Sequence, residues 1–259
     1  MPEGDAVWRT AKRLNDAFAD TALTECDLRV PRYATLDLSG ETVSEVVSRG
    51  KHLLMRIGIN TLHSHLKMEG AWQIYARGSR WRRPWHQARA VLSNERWQAV
   101  GFSLGALDVV PIEQERSLVG HLGPDLLGAD WDPDRAVTNL RADPGRAIGL
   151  ALLDQTNLAG IGNIYRSEVC FVRGVDPRRA TGAVADLGRL VEVASTMLRA
   201  NLDHAAIVTT GNLRRGQQTW AYGRAGEPCR RCRTTIVRDY LGDGPDTERS
   251  IYVCPSCQT

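Results

Sequence analysis

The chain has 259 residues, of which 42% are hydrophobic and 24% charged, enough apolar material for a packed core and too much for wholesale disorder. No stretch approaches the ~18–20 consecutive apolar residues of a membrane helix, and the opening MPEGDAVWRT lacks the basic and apolar regions of a secretion signal, so a cytoplasmic location is expected. The formal net charge of +3 lies entirely within residues 213–259, and lysine occurs only at Lys12, Lys51 and Lys67.

In chain order, Val7, Ala11, Leu14 and Phe18 recur at helical spacing and predict an amphipathic helix over residues 2–18. From about residue 21 to 110 the pattern turns to strands, with examples at Cys26/Leu28/Val30, His52–Ile59, Ala71–Tyr75, Ala88–Leu92 and Trp97–Phe102. Beyond Pro111 the periodicity is helical. Helices are expected at Leu118–Leu122, Asp134–Leu140, Arg146–Leu153, Ile164–Phe171 and Ala183–Leu202, punctuated by Gly123-Pro124 and Asp143-Pro144-Gly145. The tail reads as a hairpin. Thr234–Val237 and Ser250–Val253 are its strands, and the segment from Leu241 to Asp246 is its turn. The order is a β-rich half, a helical middle and a hairpin.

Four of the six cysteines flank that hairpin as Cys229-x-x-Cys232 and Cys254-x-x-Cys257. A CxxC turn presents two thiolates to one metal, and two such turns close a tetrahedral zinc site with no open position. One structural Zn²⁺ is therefore expected, with two disulfides as the alternative. Cys26 and Cys170 are isolated and read as small buried hydrophobes. From Gly70 to Asn94 there is no acidic residue, while Arg77, Arg80, Arg82, Arg83 and Arg89 interleave with Trp81, Trp85 and His86. Such a mixture suits a phosphate-contacting surface with stacking platforms. A solvated loop with locally packed tryptophans fits the pattern equally well.

Three separated motifs then converge. The chain starts Met1-Pro2-Glu3-Gly4, carries Leu153-Asp-Gln-Thr-Asn-Leu-Ala-Gly-Ile-Gly-Asn-Ile-Tyr165 in its middle, and runs through Ala221-Tyr-Gly-Arg-Ala-Gly-Glu-Pro-Cys229 into the last cysteines. Together they resemble the formamidopyrimidine-DNA glycosylase and endonuclease VIII family of base-excision repair. The Pro-Glu-Gly start and His121-Leu-Gly-Pro-Asp-Leu-Leu127 are most similar to endonuclease VIII. The resemblance implies an α+β multidomain fold. A β-sandwich with an N-terminal helix would span residues 1–115, a helix–two-turn–helix domain 116–224 and a zinc-finger β-hairpin 225–259. It also implies a monomer, residing with the nucleoid, that acts on double-stranded or bubble DNA carrying oxidised bases or abasic sites.

The roles it implies are chemically intelligible. Removal of Met1 would free the secondary amine of Pro2, which titrates near ~8 and is partly neutral at physiological pH. Attack on the sugar C1′ would expel the base, and the resulting iminium would make β,δ-elimination of the phosphates possible. Retained Met1 would block that amine. Glu3 would act as acid and base, with a carboxyl raised by a partly dry site. Lys51, in Ser48-Arg-Gly-Lys-His-Leu-Leu54, would contact the phosphate beside the lesion. Gly160, Gly162 and Asn163 would bind a phosphate at a helix start, and Arg249 would grip phosphates around the flipped-out nucleotide. Leu62–Gly70 resembles the void-filling loop, with Met68 as the wedge and Lys67 and Glu69 beside it. Met68 as a core residue is the alternative.

Two positions depart from the family pattern. Asp5 and Ala6 stand where Pro-Glu is common, and Thr156 stands where many members have lysine. Both bear on activity and on the lesions accepted. Removal of oxidised pyrimidines is the expected activity, and the lesion preference itself is not legible. The alternatives are a formamidopyrimidine-type enzyme for oxidised purines and a zinc-ribbon protein that binds damage without cutting.

Overall fold

The computed structural model describes residues 2–259, and Met1, whose removal the Pro2 chemistry requires, lies outside them. Contacts divide the chain into two compact units, one up to His121 and the other from Leu122 to Thr259.

The first unit opens with helix α1, Gly4–Phe18. Its apolar stripe of Val7, Ala11, Leu14 and Phe18 is buried, as the spacing requires. Nine strands follow: β1 Thr21–Ala22, β2 Glu25–Leu28, β3 Thr42–Arg49, β4 His52–Ile57, β5 Asn60–His65, β6 Ala71–Ala76, β7 Ala88–Ser93, β8 Trp97–Phe102 and β9 Ala106–Pro111. They form one sheet in the order β1-β3-β4-β5-β9 and a second in the order β2-β7-β8-β6. The α1 stripe shares one core with Leu53, Met55 and Ile57 of β4 and Leu92 and Ala99 of the second sheet. Burying each such side chain contributes about 1.5–3 kcal/mol. A short helix, α2 Arg116–Val119, ends the unit; it starts two residues before the expected Leu118 and stops at Gly120.

One connection shapes this unit. Strands β6 and β7 both pair antiparallel with β8, on its two sides, so they run parallel to each other. Residues 77–87 must therefore cross back along the sheet. The crossover lays Trp81 against a satellite cluster of Tyr75, Ala88, Val91, Val100 and Phe102. Alternation along β7 and β8 sends the neighbouring Ala90, Leu92 and Ala99 into the main core.

The second unit holds helices α3 Pro133–Arg141, α4 Ile148–Ala151, α5 Asn163–Arg173 and α6 Leu187–Arg199, then the antiparallel pair β10 Val237–Leu241 and β11 Arg249–Val253. Asp132 and Asp186 cap α3 and α6, each carboxylate accepting from the backbone N–H three residues on. Three expectations are corrected here. The predicted Arg146–Leu153 helix shrinks to α4, because Ala147 is extended and bridges Ala180. The predicted Ala183–Leu202 helix starts only after the Asp186 cap. The first hairpin strand runs from Val237 rather than Thr234. Residues 234–236 are taken by the cysteine knuckle instead: the Cys229 N–H donates to the Thr234 carbonyl at 2.8 Å, and the Ile236 N–H to the Glu227 carbonyl at 2.9 Å. Cys170 is fully buried in the helical core and its thiol is pushed up to about 12 by burial. Cys26 is half-buried against the core of the first unit. No helix among the described residues is long and apolar enough to cross a membrane.

Candidate functional site

In the first unit, Pro2 immediately precedes α1 and is half-buried. Glu3 is the N-cap of that helix, 1% exposed, with its backbone carbonyl accepting from the N–H groups of Ala6 and Val7 at 3.0 and 3.1 Å. The positive end of a 15-residue helix favours a carboxylate there. Lys51 lies in the two-residue turn that joins β3 to β4 between the paired Arg49 and His52, with Gly50 at φ +57°. Burial lowers the Lys51 ammonium below its usual pKa, and the charge of Glu3 opposes that shift. The fold thus brings Lys51 and Glu3, the residue after Pro2, into one electrostatic site. A half-buried ammonium in the field of one carboxylate is well placed to take a second anion.

Asp5, at the departure from the family pattern, is fully buried. Its Oδ2 accepts from Arg9 Nη1 at 2.8 Å, while Oδ1 has no partner among the described residues.

Behind Lys51 stands a group of histidines that sequence reasoning missed. His52 and His65 are paired across β4 and β5. The His52 and His63 rings lie within 20° of coplanar, 5.0 Å apart, with His52 Nδ1 2.8 Å from His63 Nε2. His63 Nδ1 is 3.4 Å from Asp108 Oδ2. His65 and His121 approach His52 edge-on at 5.1 and 6.3 Å. Burial holds His52 down at about 3 and His65 at about 4, and also lowers His63. The period-two spacing of His63 and His65 was the one available signal; the pairing of β4 with β5 that brings His52 to them was not legible.

The loop from Leu66 to Gly70 follows β5. Met68 is 65% exposed there, which removes the core alternative. Lys67 takes φ +49° and its N–H donates to His65 Nδ1 at 2.9 Å. Glu69 offers its carbonyl to Arg83 Nη1 at 3.1 Å.

In the second unit, the turn before α5 is organised by Gln155. Its Oε1 accepts from the Gly160 N–H at 3.0 Å, and its Nε2 donates to the Ile161 carbonyl at 3.1 Å. Gly160 sits at φ +110°, where a side chain would strain the backbone, and Gly162 is the N-cap of α5. Asn163 Nδ2 donates to the Ser250 carbonyl at 2.9 Å, and its Oδ1 accepts from the buried Arg166, which also reaches Ser250. The structure therefore joins the glycine turn to the hairpin strand beside Arg249. Arg249 is exposed and its Nη1 donates to the carbonyl of Glu248. Thr156, the second departure, donates its hydroxyl and its N–H to Asp154 Oδ1.

The sulfurs of Cys229, Cys232, Cys254 and Cys257 all lie within 4.8 Å of one another. The Cys229–Cys257 and Cys232–Cys254 separations are 3.9 and 3.4 Å. A disulfide needs about 2.05 Å, whereas a tetrahedron of zinc–sulfur bonds of about 2.3 Å places sulfurs roughly 3.8 Å apart. Four soft donors at that spacing fit one closed metal site.

Comparison with known proteins agrees with this geometry. Residues 1–102 match the model of the formamidopyrimidine-DNA glycosylase N-terminal domain, and residues 122–213 that of the formamidopyrimidine-DNA glycosylase H2TH domain. The chain is 54% identical to a protein named probable endonuclease 8 2 of Streptomyces coelicolor, over all of this chain and 94% of that one. It is 51% identical to the DNA-(apurinic or apyrimidinic site) lyase Nei2 of Mycolicibacterium smegmatis, over 100% and 99% of the two chains. At 23% identity and a TM-score of 0.83, it shares its fold with Lactococcus lactis formamidopyrimidine-DNA glycosylase, solved on DNA containing an abasic site, with 99% of each chain covered.

Proposed function

Because the chain belongs to the formamidopyrimidine-DNA glycosylase and endonuclease VIII family, we propose that it is a bifunctional glycosylase and abasic-site lyase of base-excision repair that removes oxidised pyrimidines. The observation that carries this reading is the burial of Glu3 at the head of α1, one residue from Pro2 and in the field of Lys51.

In this reading the neutral amine of Pro2 forms a bond to C1′ as the base departs with the electrons of the glycosidic bond, and the proton on the now cationic nitrogen passes to the departing base, which frees the nitrogen lone pair. Glu3 donates a proton to the sugar ring oxygen, the ring opens, and the nitrogen lone pair completes the iminium. The iminium acidifies the adjacent sugar protons, and Glu3 assists their removal as the phosphates leave by β,δ-elimination. Lys51 holds a phosphate next to the lesion, a second anion beside Glu3 that offsets the desolvation of its ammonium. Met68 fills the gap left by the flipped nucleotide, with Lys67 and Glu69 flanking it. Gly160 and Gly162 admit a phosphate to the start of α5, one amide hydrogen of Asn163 remains for it, and Arg249 adds a guanidinium. The buried Asp5 supplies the supporting carboxylate, displaced by one position from the family pattern.

Cys229, Cys232, Cys254 and Cys257 hold one structural Zn²⁺, which clamps the hairpin and takes no part in the chemistry. The domains fall at residues 1–115, 116–224 and 225–259. The enzyme works in the cytoplasm as a monomer on double-stranded or bubble DNA. The names of the relatives, endonuclease 8, favour pyrimidine over purine lesions.

Borohydride trapping on oligonucleotides with defined lesions tests this. A covalent adduct is expected with oxidised pyrimidines and with abasic sites, lost in Pro2→Gly. No adduct from protein shown by mass spectrometry to lack Met1 overturns the enzyme reading. Adducts with oxidised purines alone overturn the pyrimidine preference.

A further inference from the structure

The crossover between β6 and β7 has no part in the proposed chemistry, and its two tryptophans behave differently. Trp81 is an anchor. Its Nε1 donates to Gln98 Oε1 at 2.6 Å, its ring meets Phe102 edge-on at 5.8 Å, and the Arg29 guanidinium lies 5.4 Å from its centre. Tyr75 Oη accepts from the Arg82 N–H at 3.0 Å, and the Gln87 N–H donates to the Pro84 carbonyl at 3.1 Å. The loop is thus pre-formed. On it Trp85 is 73% exposed. A large indole held out in water by an ordered loop is the kind of group that awaits a partner.

The surroundings state which partner. Residues from Ser79 to Trp85 line an open depression of about 570 Å³, within the size range of small-ligand sites, roughly 300–1,000 Å³. Arg80 and Arg82 stand exposed on its rim, without a carboxylate partner among the described residues. No acidic residue occurs from Gly70 to Asn94. The crossover touches the wedge loop, where Arg83 donates to the Glu69 carbonyl, and its end is tied to the turn after β8, where the Ser103 N–H donates to the Gln87 carbonyl at 2.8 Å.

We propose that this crossover is a binding site for unpaired nucleotides of DNA, with Trp85 stacking on a base and Arg80 and Arg82 holding the adjoining phosphates. Paired DNA shows only its backbone to such a surface, because its base faces are covered by neighbouring bases. An unpaired strand offers both π-face and phosphate, and the site offers a partner for each. The proposal rests on the DNA-repair reading and adds a preference within it, for lesions lying in or beside unpaired stretches.

Fluorescence anisotropy with a labelled single-stranded oligodeoxythymidine, and with a fully paired duplex of the same length, tests it on the intact protein. Trp85→Ala is expected to weaken single-strand binding about tenfold and duplex binding by a much smaller factor, with Trp85→Phe restoring most of the loss. Arg82→Ala is expected to reduce the slope of log affinity against log salt for the single strand by about 0.7. Unchanged single-strand binding in Trp85→Ala, or equal loss on both ligands, overturns the site. Borohydride trapping of the unsubstituted protein on a paired abasic duplex separates the two readings. Failure there and on a single-stranded abasic oligonucleotide removes the enzyme, whereas trapping on either combined with an indifferent Trp85→Ala removes only the crossover site.

Discussion

His63 Nε2 can accept from His52 only while the His63 ring is neutral, and that fixes the protons of the whole chain. Asp108 accepts from His63 Nδ1–H, and His63 Nε2 accepts from His52 Nδ1–H. Around it face His65, His121, Lys51 and Lys67, with Arg32 3.5 Å from Asp108. Burial lowers His52, His63 and His65 beneath the usual 6.5. Below that pH the unfolded chain binds protons that the folded chain refuses, so stability present at neutral pH is lost as the pH falls toward the folded values of about 3 to 4. The denaturation midpoint of the first unit is expected to drop between about pH 7.5 and about pH 5, and to drop less in His52→Phe. A midpoint indifferent to pH would show that these imidazoles are not held neutral. The strand turn that carries Lys51 depends on this cluster, so incision should share its acid limit.

Element by element, periodicity read well where one face is buried and poorly where partners lie far apart in sequence. The α1 stripe, β8 and the ends of α5 were close to their observed limits because each element declares its own buried face. The hairpin strand and α4 shifted because residues 234–236 and Ala147 find backbone partners elsewhere, which no local pattern records. The same holds for the site. Pro2 and Glu3 as candidates and the clustered cysteines came from their motifs, while the histidine chain and Glu168 left no such mark. Glu168, on α5, accepts from the backbone N–H groups of Trp220, Ala221 and Tyr222 at 2.7 to 2.8 Å, and from the Thr209 hydroxyl. It ties α5 to the segment that leads into Cys229. Glu168→Ala leaves those three N–H groups without their acceptor and is expected to destabilise the second unit by about 3–5 kcal/mol, read by chemical denaturation. Glu168→Gln should recover little, since its amide would set N–H against N–H. A variant within about 0.5 kcal/mol of the parent would show that water replaces the carboxylate.

At the scale of the whole molecule, the two units have separate cores. The four cysteines belong to the second unit, in the terminal segment 213–259 that carries eight arginines against five acidic residues. Stripping the metal from the cysteine site with a strong chelator is expected to weaken duplex-DNA binding, measured by anisotropy, while the first unit keeps its cooperative melt. Intact incision by protein shown to be metal-free would refute a DNA-gripping role for the hairpin. The separation also has a consequence during synthesis. Every strand pairing of the two large sheets closes within residues 21–111, so nothing that leaves the ribosome later is needed to finish them. The sandwich that carries Pro2, Glu3 and Lys51 can fold while the helices and the cysteine hairpin are still being made. On the proposed function, release of the Pro2 amine then precedes assembly of the DNA grip, and a nascent chain is armed before it can hold its substrate.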